Sequence, residues 1–132
     1  MDSPQERGPA MTNRSKQKGT SFESLITGYL RAALDDDRIE RRTLIGGSDR
    51  GDIAGVRLHG QRVVLECKNV STGKVLHLPE WTAEAHREAG NDDALVGLVV
   101  HKRSKSTNPA EQWVTCTVAD LVAIITGQRG EQ

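Results

Sequence analysis

VVLECKNV, Val63 to Val70, is an apolar run that meets two opposite charges, Glu66 and Lys68, at its far end. Consecutive apolar residues of this kind mark a strand buried on both faces, in the middle of a sheet. A carboxylate and an ammonium two residues apart on such a strand point to the same face. Burying unpaired charge there is expensive, so a compensating group is expected at the strand end.

The segment before it supplies the strand's partner. GDIAGVR and QRVVLECK flank Leu58-His59-Gly60. A three-residue hairpin loop with glycine in third place predicts the pairs Arg57 with Gln61, Gly55 with Val63, Ile53 with Leu65 and Asp52 with Glu66. A two-residue turn at His59-Gly60 is the rival, and it would set Asp52 against Cys67. In the first register Asp52, Glu66 and Lys68 share one face, while Ile53, Leu65 and Cys67 enter the core. Two carboxylates directly opposed repel each other. A hard divalent cation between them removes the repulsion, and Mg²⁺ is commonly held by one or two carboxylates with water and phosphate oxygens. A nearby lysine can then orient or deprotonate a water, or stabilise phosphate charge.

Outward from this hairpin the chain reads as α-β-β-β-α-β-β-α, a single α/β domain with a mixed sheet covered by helices. Residues 1–19 are polar, contain Pro4 and Pro9, and read as a flexible arm whose Arg14, Lys16 and Lys18 make it basic. TSFESLITGYLRAAL predicts an amphipathic helix, capped at Thr20 or Ser21, with Glu23 in its first turn. Strands are expected near 39–45, 52–57 and 61–68. A helix follows from Pro79 to Gly90, then a central, parallel strand in ALVGLVVHK, a fifth strand in QWVTCTV, and a helix in ADLVAIITG closed by Gly127. Residues 129–132 are a polar tail. Trp81 and Trp113 are expected in the core. Glu80, Glu84 and Glu88 form a helical row that reads as a solvated face, from which only Glu84 stands within conceivable reach of a metal.

Composition bounds the function. The chain has 132 residues, a formal net charge of zero and 3% aromatic residues. That excludes a general polycation and an aromatic stacking platform, and leaves recognition of nucleic-acid backbone and shape by segregated basic residues. Besides the arm, HKRSKS places Lys102, Arg103 and Lys105 together without an acid. The two cysteines, Cys67 and Cys116, lie in apolar runs without metal spacing and read as reduced thiols of a cytoplasmic protein. His59, His77, His86 and His101 have no ligand spacing. Neither a signal-peptide core nor a membrane-spanning run is present in the sequence.

Asp52…Glu66-x-Lys68 on a hairpin, after a helix carrying Glu23, resembles the PD-(D/E)XK nuclease superfamily. Within it, the pattern from Lys18 to about Lys102 is most similar to Holliday junction resolvases of the archaeal type and related phage proteins. KGTSFESLI resembles their first helix, RRTLIGGSDRGDIAGV the segment with a basic residue, serine and aspartate, and VVLECK their signature strand. Gly51 stands where the superfamily often has proline. The resemblance implies a restriction-endonuclease-like core, α-β-β-β-α-β. It also implies Mg²⁺ (with Mn²⁺ as substitute) held by Asp52, Glu66 and the main-chain carbonyl of Cys67, with Glu23 an accessory acid acting directly or through water. Lys68 becomes the catalytic lysine, and Arg41, Arg42 and Ser48 DNA contacts. The function implied is hydrolysis of the backbone phosphodiesters of branched DNA by a metal-activated water, in a homodimer. The alternatives are another nuclease on this core (restriction-type, nicking or repair) and a non-catalytic DNA-binding or scaffolding protein. A third alternative, a mixed α/β enzyme on small phosphorylated substrates, has no glycine-rich phosphate loop of the Walker or dinucleotide type to support it.

Overall fold

A computed structural model of the chain describes residues 7–42, 49–71 and 73–129, with side chains of the first helix described from residue 21 onward. The elements are α1 (Arg7–Leu34), β1 (Glu40–Arg41), β2 (Ile53–Ala54), β3 (Arg57–Leu58), β4 (Gln61–Lys68), α2 (Leu78–Asn91), β5 (Val96–His101), a 3₁₀ turn (Pro109–Glu111), β6 (Trp113–Thr115) and α3 (Val118–Thr126). Helices cover a mixed sheet of order β1-β2-β4-β5-β6, with β3 also paired to β4. The α/β class with a mixed sheet follows the sequence, but the single strand expected over 52–57 is broken into β2 and β3, so four strands, not three, separate α1 from α2.

β4 is the axis of the sheet. Its residues from Val63 to Lys68 pair in parallel with β5, from Val63 with Val96 to Lys68 with His101. Odd-numbered Val63 and Leu65 pack with Phe22 and Ile26 of α1 and Ala123 of α3. On the opposite face Val64 packs with Ala89, and Val99 of β5 with Trp81 and Ala85 of α2. Glu66 and Lys68 share the parity of Val64, so they project toward α2. Gly97 allows this close layering: a Cβ there would stand 2.7 Å from the carbonyl carbon of Ala85.

The hairpin departs from the expected turn but keeps the expected register at the site. Arg57 pairs with Arg62 and Leu58 with Gln61, so the turn is the two-residue His59-Gly60, with φ of 53° and 74°. Two successive positive φ values match the right-handed twist of a hairpin. Farther along, Ile53 pairs with Leu65. Between these pairs β2–β3 carries one residue more than β4, a bulge at Gly55. Gly55 has φ 94°, and a Cβ on it would stand 2.5 Å from the Arg38 carbonyl oxygen. The two-residue turn alone would shift Asp52 by one position. The bulge shifts it back, and the Asp52 backbone N–H donates to the Leu65 carbonyl at 2.9 Å.

Other boundaries differ from the sequence reading. α1 begins at Arg7 and runs through Thr20 and Ser21, taking in residues 7–19 of the expected arm. Pro9 falls in the first turn, where proline is tolerated, and the Arg, Lys and Gln that follow favour helix. Among the described residues the strand expected over 39–45 is limited to Glu40–Arg41, and α2 continues past Gly90 to Asn91. α3 is capped by Thr117 and Asp120 in a reciprocal capping box and closed by Gly127. Trp81 is in the core, but Trp113 is 48% exposed. It lies on β6 at the sheet edge, with the Arg103 guanidinium 4.7 Å from its ring.

Candidate active site

The fold gathers acids around the C-terminal end of β4 from three directions. β4 brings Glu66, the turn before β2 brings Asp49 and Asp52, and α2 brings Glu84 and Glu88. One carboxylate oxygen from each of Asp49, Glu66, Glu84 and Glu88 lies within 4.8 Å of the others. Asp52 stands beside this group. Its Oδ2 accepts the backbone N–H of Cys67 at 2.7 Å, and its charge acts on Glu66. Lys68 is the cation of the cluster, with Nζ 2.7 Å from Glu84 and 3.2 Å from Glu66. Glu23 approaches from α1. Its carboxylate feels the charge of Asp52 and pairs with Arg41 at 3.4 Å.

Burial sets the electrostatics. Glu66 is 5% exposed and Glu88 has no exposed surface. Among the described residues neither oxygen of Glu88 meets an N–H or hydroxyl donor, nor does Oε1 of Glu66; Glu88 instead faces the carboxyls of Glu66 and Asp49. Buried carboxylates without donors are rare and need a specific explanation. Desolvation raises both carboxyls well above the ordinary range, and their mutual contact places the proton on Glu88. Desolvation also raises Asp52, against the lowering effect of the Cys67 N–H and Lys68. It raises Glu23 as well, with Asp52 adding to it and Arg41 opposing. Burial by itself would lower Lys68. Its hydrogen bond to Glu84 and the charge of Glu66 outweigh that and hold the ammonium above its ordinary value. Cys67 is pushed far up by burial and by Asp52, so its thiol stays neutral and is no nucleophile.

No family model, curated protein or solved structure matches this chain. What the site can do follows from its own chemistry. The donors are hard oxygens, several of them buried against other carboxyls instead of N–H or hydroxyl donors, which fits a hard divalent cation such as Mg²⁺ or Mn²⁺.

Of the residues singled out in the sequence, Asp52, Glu66, Lys68 and Glu23 come together, and the Cys67 backbone joins them through its N–H. Ser48 lies outside the described residues. Arg42 faces Asp92, with its two terminal guanidinium nitrogens 3.3–3.4 Å from the carboxylate, and is half-buried. Lys102 Nζ donates to the carbonyls of Arg103 and Ser106, closing its own loop. Arg41, Arg103 and Lys105 are exposed.

Asp49, Glu84 and Glu88 are the additions the sequence reading missed or set aside. The expected solvated row of Glu80, Glu84 and Glu88 is corrected: Glu80 is exposed, Glu84 half-buried and Glu88 fully buried. Residues four apart advance about 40° around a helix, so the row turns from solvent into the core. A signal was present. Trp81, Ala85 and Ala89 mark the core stripe of α2, and Glu88 falls on it at i+7 from Trp81.

Proposed function

We propose that this protein is a Mg²⁺-dependent, structure-specific DNA endonuclease of the Holliday junction-resolving type, built on the PD-(D/E)XK pattern. The observation that carries the reading is the convergence of Asp52, Glu66 and Lys68 at the end of a central strand, with the Asp52 carboxylate tied to the Cys67 N–H at 2.7 Å. Asp52, Glu66 and the main-chain carbonyl of Cys67 would hold the cation, and Glu23 supports it from α1. When bound, the ion supplies positive charge to the scissile phosphate and lowers the pKa of the attacking water. Lys68 holds a fixed positive charge toward the developing negative charge of the phosphate. Glu84 and Glu66 orient its ammonium.

Recognition rests on phosphates and DNA shape. Arg41, beside Glu23, and the exposed Arg103 and Lys105 are the candidate phosphate contacts. Arg42 and Lys102 act indirectly, by fixing Asp92 and the 102–106 loop. A junction is cut in two symmetry-related strands, which two copies of one site supply. An exposed apolar surface on β6 and α3 supports a second copy: Val114, Val118, Leu121, Val122 and Ile125 are 49–77% exposed. Among the described residues no helix is long and apolar enough to cross a membrane. We place the activity in the cytoplasm of a bacterial cell or phage-infected host.

The test is a labelled synthetic four-way junction beside a matched linear duplex, each with Mg²⁺ or with EDTA. Paired, symmetric nicks on the junction alone, dependent on Mg²⁺, are the expected result. Equal cutting of the duplex retains a nuclease of another type and removes the junction assignment. Tight junction binding without cutting by folded protein in Mg²⁺ overturns the catalytic reading and leaves a DNA-binding or scaffolding protein.

A further inference from the structure

Arg57 and Arg62 stand directly opposite each other across β3 and β4, on one face of the hairpin. Like charges placed opposite in a ladder repel each other. Both side chains are exposed, and among the described residues neither forms an ion pair. Arg62 Nη1 donates to the main-chain carbonyl of Asp92 at 3.4 Å. Arg57 reaches Asp36 by its charge alone, and that carboxylate is already held by Arg38 through two side-chain hydrogen bonds of 2.9 Å. The opposed pair lines a cleft of about 250 Å³ with the bulge at Gly55 and the residues that end β1 and α2. Four of its nine lining residues are arginines, Arg38, Arg42, Arg57 and Arg62, against one acid, Asp92. Asp92 is buried, and its carboxylate is taken by the terminal nitrogens of Arg42. The Nε of Arg42 is itself buried without an acceptor. Positive charge and unused donors thus outnumber the acids, which suits an anion.

We propose that this cleft is a phosphate-binding site, filled by a DNA backbone phosphate away from the scissile one. The DNA source of the phosphate rests on the proposed function; the fit of the cleft to phosphate does not. Guanidinium forks bind phosphate oxygens in pairs, and a phosphate between Arg57 and Arg62 turns their repulsion into two charge-assisted contacts. Arg38 borders the same opening, while Arg42 and Asp92 form its fixed floor. Arg62 lies on the same face of β4 as Glu66 and four residues before it, about 13 Å at the rise of a strand. One DNA strand covers that span in about four base steps. A strand lying with one phosphate at Glu66 and Lys68 is therefore long enough to place another in the cleft. Such a contact fixes position without reading bases.

The test measures binding by the full-length protein in EDTA, where no strand is cut. Fluorescence anisotropy follows a labelled four-way junction as salt is raised. Arg57→Gln and Arg62→Gln are each expected to weaken binding about tenfold and to lower the slope of log affinity against log salt by about 1. Arg87→Gln removes one exposed arginine of α2 outside the cleft and is expected to change affinity by less than about twofold. Each cleft variant relieves a like-charge pair, so its melting temperature in phosphate-free, low-salt buffer is expected to equal or exceed that of the wild type. Inorganic phosphate is expected to shift the amide NMR signals of Gly55, Arg57 and Arg62 in the wild type, and to leave them unmoved in the variants. Lower melting temperatures in both variants would make the pair a structural feature and overturn the site, as would unchanged junction affinity without phosphate-induced shifts. Phosphate-induced shifts with unchanged junction affinity overturn the DNA assignment and leave a site for a small phosphate. Junction cleavage in Mg²⁺ with affinity unchanged in both variants leaves the nuclease reading standing while the DNA contact falls. Weakened binding in both variants, with no DNA cut by the wild type in Mg²⁺, leaves the site standing while the nuclease reading falls.

Discussion

Lys68→Ala is expected to slow junction cleavage by about 10³-fold, equivalent to about 4 kcal/mol in the barrier, while the protein remains folded and binds the junction. The ammonium is held by Glu84 at 2.7 Å and Glu66 at 3.2 Å, so its position is fixed before substrate arrives. Those two contacts also raise its pKa, against the lowering effect of burial. A lysine held charged in this way cannot act as a general base near neutral pH. Its contribution is a preorganised positive charge, and the rate should show no loss from Lys68 titration between pH 6 and 9. The comparison is single-turnover cleavage at saturating protein, with thermal melting and gel-shift binding measured on the same preparations. A loss below about tenfold would remove Lys68 from the reaction.

The second large effect is on stability. In EDTA, the folded protein is expected to lose stability as pH rises from about 4.5 through neutral into the alkaline range. Glu66 and Glu88 carry folded-state pKa values raised by desolvation above the 4.5 of an exposed glutamate. Between the unfolded and folded values the native state binds more protons than the unfolded state. The derivative of unfolding free energy with pH is therefore negative, and the stabilisation present at low pH disappears as the buried acids ionise. The slope approaches about 1.4 kcal/mol per pH unit for each such proton. Mg²⁺, bound by the ionised carboxylates as proposed, should restore stability most at the alkaline end. Glu88→Gln removes one of the two protons and should flatten the EDTA profile. Urea unfolding at a series of pH values, with EDTA and with Mg²⁺, provides the check. A metal-free profile that rises with pH would contradict the burial of these acids.

The parts of the fold legible in the sequence are those in which local pattern and tertiary context agree. β4 and β5 are continuous apolar runs, and they lie parallel at the centre. α3 carries its capping residues and its terminal glycine in sequence. The hairpin shows how a site can be read correctly over a wrong turn. His59-Gly60 makes a two-residue turn, yet the bulge at Gly55 restores the Ile53–Leu65 pair that positions Asp52. A bulge adds one residue to one strand and leaves only a glycine as its trace, so turn counting alone does not detect it.

The misses have a common physical origin, since each residue acts through a partner distant in sequence. Glu88 reads as surface when counted with Glu80 and Glu84, and as site when counted with Trp81, Ala85 and Ala89. Arg42 reads as a phosphate contact until Asp92, fifty residues away, occupies its guanidinium. Trp113 reads as core because it is large and apolar, but β6 is an edge strand and Arg103 covers the ring instead.

Glu66 belongs to the proposed ion site and pairs with Lys68, so it tests the account most directly. The decisive measurement sets wild type beside Glu66→Gln on one labelled four-way junction, scoring binding and strand cleavage in the same Mg²⁺ samples. The account predicts equal binding, paired nicks from the wild type and none from the variant. Cleavage by Glu66→Gln at a rate near that of the wild type would contradict it.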